Sequence, residues 1–484
     1  MKDETVRMPG VAIVWLRDDL RVADNAALFA GSAHEAVLPV YIRQTASPAR
    51  PRGAAAQWWL HHSLEQLAAR LEALGSPLTL LSGDPFEILA MLVVRFNASA
   101  VYWNRSYDPA RSAADARVKS CLTSSGLRAV SFPGQLLHEP TRLRTGGGGH
   151  YRVYTPFWRA LEAGGEPRPP QPAPERLVAP DLTVASEALS DWKLLPTTPD
   201  WAGGLRDGWS PGEAGARARL NEFLGDGIAD YAEGRDIPSV DNTSRLSPHL
   251  AHGEITPAQI FEALAGAETP GSDRDELVFR KEVGWREFSW HLLVNEPDLP
   301  RANHNRRFDA FPWAHSPVAL EAWEKGLTGY PIVDAGMRQL WKTGWMHNRV
   351  RMIAASFLTK HLLIDWRRGE EWFWDTLVDA DPASNAASWQ WVAGCGADAS
   401  PYFRIFNPIL QGEKFDPDGA YVRAFVPELS KMPAKFIHKP WEAPRSILSE
   451  AGVRLGRTYP EPIVDHKAAR DRALSAYNQI KGAA

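Results

Sequence analysis

Asn348, Arg351 and Met352 stand at i, i+3 and i+4 of one apolar stretch, so a helix there places them on a single face. Downstream, Asp379 and Asp381 flank one residue, and Asn385 follows four positions later. Trp341, Trp345, Trp366, Trp372, Trp374, Trp389 and Trp391 are interleaved with them. A helix that only packs uses Leu, Ile and Val, which bring no polar atoms in need of partners. Indoles beside an Arg, two Asn and two Asp suit a pocket that holds a large planar polar molecule and pairs its edge. The competing reading is a Trp-rich core whose polar residues cap helices and turns. Spacing alone leaves both open.

Two more stretches could do chemistry. Thr243, Ser244, Arg245 and Ser247 put hydroxyls, a cation and backbone donors in front of a helix, a ready site for a phosphate, or else a simple Ser/Thr cap. In RKEVGWREFSWHLL (280–293), Glu282, Trp285, Arg286 and Glu287 are neighbours on an amphipathic helix, where Glu282 and Arg286 have the spacing of a solvated ion pair.

These residues need elements to position them. Runs at 11–15 (VAIVW), 37–43 (VLPVYIR), 77–82 (PLTLLS), 99–103 (SAVYW) and 128–132 (RAVSF) read as strands. Helical patterns lie between several of them, clearest over Ala54–Leu74, where Leu60, Leu64, Leu67 and Leu71 recur at helical spacing. Alternating strands and helices predict a doubly wound parallel sheet over 10–135. No GxGxxG loop supports a plain dinucleotide fold; WLRDDLRVADNAAL follows the first strand, with Asp24 or Asn25 placed to cap the next helix. TGGGG at 145–149, PRPPQPAPE at 167–175 and LLPTTPDWAGG at 194–204 mark 136–212 as a connector, interrupted by a helix at 155–164. From 213 to 484 the pattern is helical.

A chain of 484 residues is long enough for two or three domains with sizeable cores. It has no run of eighteen apolar residues and no signal-peptide pattern at its start, so a cytoplasmic protein is expected. Cys121 and Cys395 are the only cysteines, which excludes a disulfide framework, a zinc finger or a four-cysteine cluster, and no metal is expected. A net charge of −4 neither advertises nor forbids nucleic-acid binding, because the phosphate interaction depends on local cations. Twenty tryptophans, concentrated in the second half, are the compositional anomaly.

TGYPIVDAGMRQLWKTGWMHNRVRM, DADPASNAASWQW and PYFRIFNP resemble the flavin-binding helices of the photolyase and cryptochrome family, and WLRDDLRVADNAAL resembles that family's opening signature. The resemblance covers 213 to about 467 together with the N-terminal segment, and implies an α/β antenna domain, a connector and a helical FAD-binding domain. It assigns Tyr231 and Thr243, Ser244, Arg245, Leu246 and Ser247 to the FAD phosphates and nearby atoms. Asn348, Arg351, Asp379, Asp381 and Asn385 go to the flavin and its surroundings, with Asp379 pairing Arg351. Asn385 would face the flavin nitrogen whose protonation changes with redox state; repair enzymes of the family carry Asn there and plant cryptochromes Asp.

On the substrate side, the resemblance places Glu282, Trp285, Met352 and Trp391 around a flipped cyclobutane pyrimidine dimer. Glu282 would need a carboxyl raised by burial. Arg286, Arg349, Arg404 and Gln411 would hold UV-damaged DNA at the pocket mouth. Trp389, Trp366 and Trp313 match the family's electron relay, with Trp389 near the flavin and Trp313 near the surface. Repair of six-four photoproducts uses two active-site histidines, and the matching helix offers only His347. The expected activity is therefore that of a monomeric light-driven dimer lyase; the alternatives are a cryptochrome-type photoreceptor, whose long C-terminal extension is missing here, and a single-strand enzyme of the DASH type. An antenna pigment is expected in the α/β domain, with methenyltetrahydrofolate favoured over deazaflavin, although Arg111 stands near the place where folate-binding bacterial relatives carry a Glu.

Overall fold

The computed structural model describes residues 7–45, 49–266, 271–399 and 403–481. Pro401 and Tyr402 of the PYFRIFNP stretch lie outside them. Strands β1 (Met8–Leu16), β2 (His34–Arg43), β3 (Thr79–Ser82), β4 (Ala100–Asn104) and β5 (Arg128–Phe132) form one sheet in the order β3-β2-β1-β4-β5. Every pair is parallel. Parallel neighbours need crossovers, supplied by helices α1 (Ala26–Ser32), α2 (Ala54–Leu74), α3 (Pro85–Phe96) and α4 (Pro109–Ser124).

The unbroken apolar run of β1 follows from burial on both faces. Ala12, Val14 and Leu16 pack with Leu60, Leu64, Leu67 and Leu71 of α2. Ile13 and Trp15 point the other way, into a core with Leu89, Leu92 and Phe96 of α3 and Val118 and Leu122 of α4. Asn25 caps α1 by accepting from Leu28 N, while Asp24 accepts from Thr256 Oγ1 at 2.6 Å and ties the sheet to the helical part.

The connector covers the sheet instead of looping free. Leu177 and Trp192 join the α2 core, and Leu177 N donates to Leu74 O at 2.7 Å. Its helix α5 spans Tyr154–Glu162. The glycine run closes on itself, with Thr145 N donating to Gly149 O at 2.9 Å.

The helices that bear on the site are α6 (Asp273–Asn295), α7 (Pro331–Thr343), α8 (Asn348–Ser356), α9 (Trp366–Thr376), α10 (Pro382–Ala393), α11 (Pro408–Phe415) and α12 (His466–Lys481). Their shared core includes Trp323, Tyr330, Met337, Val350, Ile353, Trp366, Phe373 and Trp389. α8 runs on through one π-helical turn, Phe357–His361. Buried polar residues join this body to the sheet. Arg21, fully buried, donates to the carbonyls of Asp24, Gly134 and Gly253, and Glu254, also fully buried, accepts from Trp59 Nε1 and Gly212 N.

Candidate functional site

Arg351 donates to both carboxylate oxygens of Asp379, at 3.1 and 2.8 Å, and through Nε to Met346 O at 2.7 Å. Asp379 Oδ2 also accepts from Ser247 Oγ at 2.6 Å. One nearly buried carboxylate thus brings together α8, the residues preceding α10 and the Thr243–Ser247 stretch. A charge in that setting is tolerated only with partners, and it has two. The guanidinium groups of Arg245 and Arg351 lie 5.4 and 5.8 Å from the ring centre of Trp345.

Arg219 shapes the Thr243–Ser247 stretch by donating to the carbonyls of Thr243 at 2.7 Å and Ser244 at 3.0 Å. Leu246 is buried and Ser247 exposed. The helix that follows, Ser247–Ala251, has only five residues, so its dipole is weak and a phosphate there would depend on the hydroxyls and loop donors. Tyr231 is buried nearby in this body, edge-on to Phe223 and Phe279.

Asp381 caps α10: its Oδ1 accepts from Ala383 N at 2.9 Å and Ser384 N at 2.6 Å, so the capping alternative holds for this residue. Burial raises its carboxyl above the usual range, and the Arg286 charge pulls it back. Asn385, one turn on, is buried and directs Nδ2 to Glu370 Oε1 at 2.8 Å. Asn348 is exposed at the first turn of α8, and Met352 packs against the helical core.

Glu282 does not pair with Arg286. It bonds Arg235 at 2.6 Å; burial raises its carboxyl and the Arg235 charge opposes the rise. Trp285 is stacked on Tyr154 of α5, ring centres 3.8 Å apart. Trp391 Nε1 donates to Asp398 O at 3.1 Å, while Asp398 Oδ2 accepts from Tyr154 N at 3.2 Å. One residue therefore fixes Trp391 and the backing of Trp285 together.

Of the four residues expected to grip DNA, Arg286 stands apart. Its side chain is 12% exposed and donates to Gln135 O at 3.0 Å, lining a cleft between the sheet and the helices with Arg50, Arg111, Trp374 and Asp381. The chain at Gln135 and Leu250 covers the helix face that presents Arg286. Arg349 pairs with Asp236 at 2.6 Å and lies over Phe415. Arg404 is exposed and Gln411 half-buried.

Trp389 and Trp366 are buried in the helical core and Trp313 sits half-buried at its margin. Trp366 Nε1 donates to Asn303 Oδ1 at 2.9 Å, whereas Trp389 Nε1 has no partner among the described residues.

Sequence reasoning missed Tyr154, Arg235 and Glu370, since nothing local marks them. The polar set fits a flavin nucleotide on an independent sign. His347 Nδ1 accepts from Arg349 N at 3.2 Å, and burial drives the ring down to about 4, so the neutral ring carries its proton on Nε2. That nitrogen is buried without a partner among the described residues, a cost of about 1–3 kcal/mol that a ligand acceptor would relieve.

Comparison with known proteins agrees. Residues 279–479 match the FAD binding domain of DNA photolyase and residues 12–175 the DNA photolyase model. The deoxyribodipyrimidine photo-lyase of Agrobacterium fabrum is 59% identical over 97% of this chain and 98% of its own. Arabidopsis thaliana cryptochrome-1 is 36% identical over 97% of this chain and 70% of its own. The crystal structure of a bacterial class III photolyase from Agrobacterium tumefaciens superposes with a TM-score of 0.96 at 57% identity, covering 99% of this chain and all of that one. With its parallel sheet, its FAD-binding helical domain and this likeness along nearly its whole length, the chain belongs to the DNA photolyase family.

Proposed function

We propose that the protein is a deoxyribodipyrimidine photo-lyase that splits cyclobutane pyrimidine dimers in DNA under blue light. The observation that carries the reading is the joint fixing of two aromatic walls beside one half-buried carboxyl. Tyr154 backs Trp285, Asp398 ties Trp391 to the same support, and Glu282 lies one helical turn from Trp285. A dimer is already poorly stacked and paired, so extruding it costs less than extruding a normal base. Its two rings then find aromatic faces. Asn385, where repair enzymes of the family carry Asn, favours a lyase over a photoreceptor.

A reduced FAD held here would supply light-driven electron transfer to the dimer and back, so that splitting its two carbon–carbon bonds would need no net redox change. The chain's residues do the rest. Thr243–Ser247 and Tyr231 bind the phosphate side, with Arg351, Asp379, Asp381, Asn348 and Asn385 around the ring system. Glu282, raised by burial, offers a hydrogen bond to the charge that develops on the dimer. Met352 closes the pocket, and Arg286, Arg349, Arg404 and Gln411 hold the DNA at its mouth. Trp389, Trp366 and Trp313 relay electrons to the cofactor.

The same reading divides the chain into 10–135, 136–212 and 213–484 and makes it a cytoplasmic monomer; no helix among the described residues is long and apolar enough to cross a membrane. It includes an antenna, methenyltetrahydrofolate in preference to deazaflavin. Arg111 is held by Asp18, so this position offers a pterin amine a cation instead of a carboxylate, and the pigment would need another partner.

The test is repair of an oligonucleotide carrying one thymine dimer, duplex and single-stranded, under blue light with reductant. Loss of the dimer in both forms, with none in the dark, supports the lyase. Repair of single strands alone points to the DASH type. No repair by protein holding reduced FAD would overturn the reading and leave a photoreceptor.

A further inference from the structure

Asn385 is held by a chain of contacts that crosses the molecule. Its Nδ2 donates to Glu370 Oε1 at 2.8 Å and to Glu370 O at 3.0 Å. Glu370 is 3% exposed, and both its carboxylate oxygens accept from Arg50 Nη1, each at 2.8 Å. Arg50 comes from the sheet domain, in the loop between β2 and α2, with its guanidinium over the Trp374 ring at 4.4 Å. It also lines the cleft between the two bodies.

The direction of these bonds decides how the amide points. An ionised carboxylate only accepts, so Asn385 must turn its NH2 to Glu370 and leave Oδ1 for the pocket. Burial raises the Glu370 carboxyl, the Arg50 charge beside it opposes the rise, and Glu371 on the same helix adds to it. A protonated Glu370 could instead donate to Oδ1, leaving only its main-chain carbonyl to hold the NH2, and the amide would be free to turn. The two orientations suit opposite states of a flavin: an oxygen accepts from N5–H of the reduced ring, whereas an NH2 donates to the bare N5 of the oxidised ring.

We propose that Arg50 is a positioning residue for the cofactor: by pairing with Glu370 across the domain interface it fixes the Asn385 oxygen toward flavin N5 and so favours the reduced flavin. The inference rests on the proposed placement of FAD against Asn385. It gives the sheet domain a direct hold on flavin chemistry, apart from any pigment it carries.

The experiment uses full-length protein with bound FAD. Flavin midpoint potential and the infrared carboxylic-acid C=O band are compared among the parent, R50Q, R50M and R50K. In R50Q and R50M the potential falls and an acid band absent from the parent appears, one that R50M/E370Q lacks. R50K keeps the parent potential. Unchanged potential and no acid band in variants that retain FAD overturn the proposal, and so does loss of FAD from both neutral variants, which would make Arg50 a plain staple of the fold. N385A separates the two readings. A shifted potential in N385A with none in R50Q sinks the role of Arg50 alone; no shift in N385A sinks the placement of the cofactor and the proposal with it.

Discussion

Tyr154 lies face to face on Trp285, with ring centres 3.8 Å apart and planes 7° from parallel. The connector helix therefore supports a wall of the proposed substrate pocket. Aromatic pairs contribute about 0.5–1.5 kcal/mol beyond area burial, so Y154A should weaken binding of dimer-containing DNA roughly 2- to 12-fold. FAD content should not change. Y154F keeps the stack and loses only the bond from the hydroxyl to Lys281 O, so it should stay near the parent; titration of labelled damaged duplex checks both.

Glu282 and Arg235 answer to each other. Removing the Arg235 charge in R235Q takes away the main force opposing burial and raises the Glu282 carboxyl further. The pH at which repair falls on the alkaline side should then move upward, because the neutral acid is the hydrogen-bond donor. E282A loses that donor altogether, and repair per absorbed photon should drop by about tenfold or more. A pH–rate profile under saturating light reads both.

Asp379 serves two partners at once, and D379A leaves Arg351 without its carboxylate. Breaking a fully buried pair costs about 3–5 kcal/mol. Arg351 keeps 24% of its side chain in solvent, so the lower end of that range applies. The expected result is loss of most bound FAD together with a lower unfolding temperature, while D379N keeps part of both. Flavin stoichiometry by absorbance, alongside thermal unfolding of the apoprotein, separates the two effects.

The Arg351–Asp379 pair was legible in the sequence through the family resemblance, which set the two residues together. The sheet was legible from pattern: five short apolar runs separated by helical patterns leave few other folds. Contacts made across domains were not. Tyr154, Arg50 and Glu370 belong to segments with no chemical signature, and their partners lie far away in sequence. For Arg286, helical spacing fixes the face it occupies but not the Gln135 and Leu250 carbonyls that cover that face. Asp381 shows the limit of motif reading, since one of its carboxylate oxygens is already committed to the α10 cap.

The tryptophans differ in what their loss would cost the fold. W366F removes the bond to Asn303 and leaves that acceptor with one partner fewer, a cost of about 1 kcal/mol. W389F gives up an indole N–H that has no partner among the described residues, so it costs less in hydrogen bonding. Both should slow light-driven reduction of oxidised flavin at least tenfold. Repair by enzyme reduced chemically beforehand should stay near the parent rate. Bleaching of flavin absorbance under blue light, followed by repair after dithionite, distinguishes the two steps.

Stability should fall on mild acidification. Burial lowers His347 and His291 to about 4 and His361 to about 3, all from an ordinary value of 6.5. A histidine lowered in the folded state gives its full stability above 6.5, where both states are neutral. As pH falls below 6.5 the unfolded chain binds protons that the folded protein refuses, and the loss grows until the folded value is reached. Each group accounts for at most about 3–5 kcal/mol on this scale, less where the fold relaxes around the charge. His361 is a good probe because its ring meets His466 at 2.8 Å, at the start of α12, away from the proposed cofactor and substrate residues. Urea midpoints measured between pH 8 and pH 4.5 should decline in the parent and decline less steeply in H361Q. An H361Q curve parallel to the parent's would mean that His361 already takes its proton in the folded state.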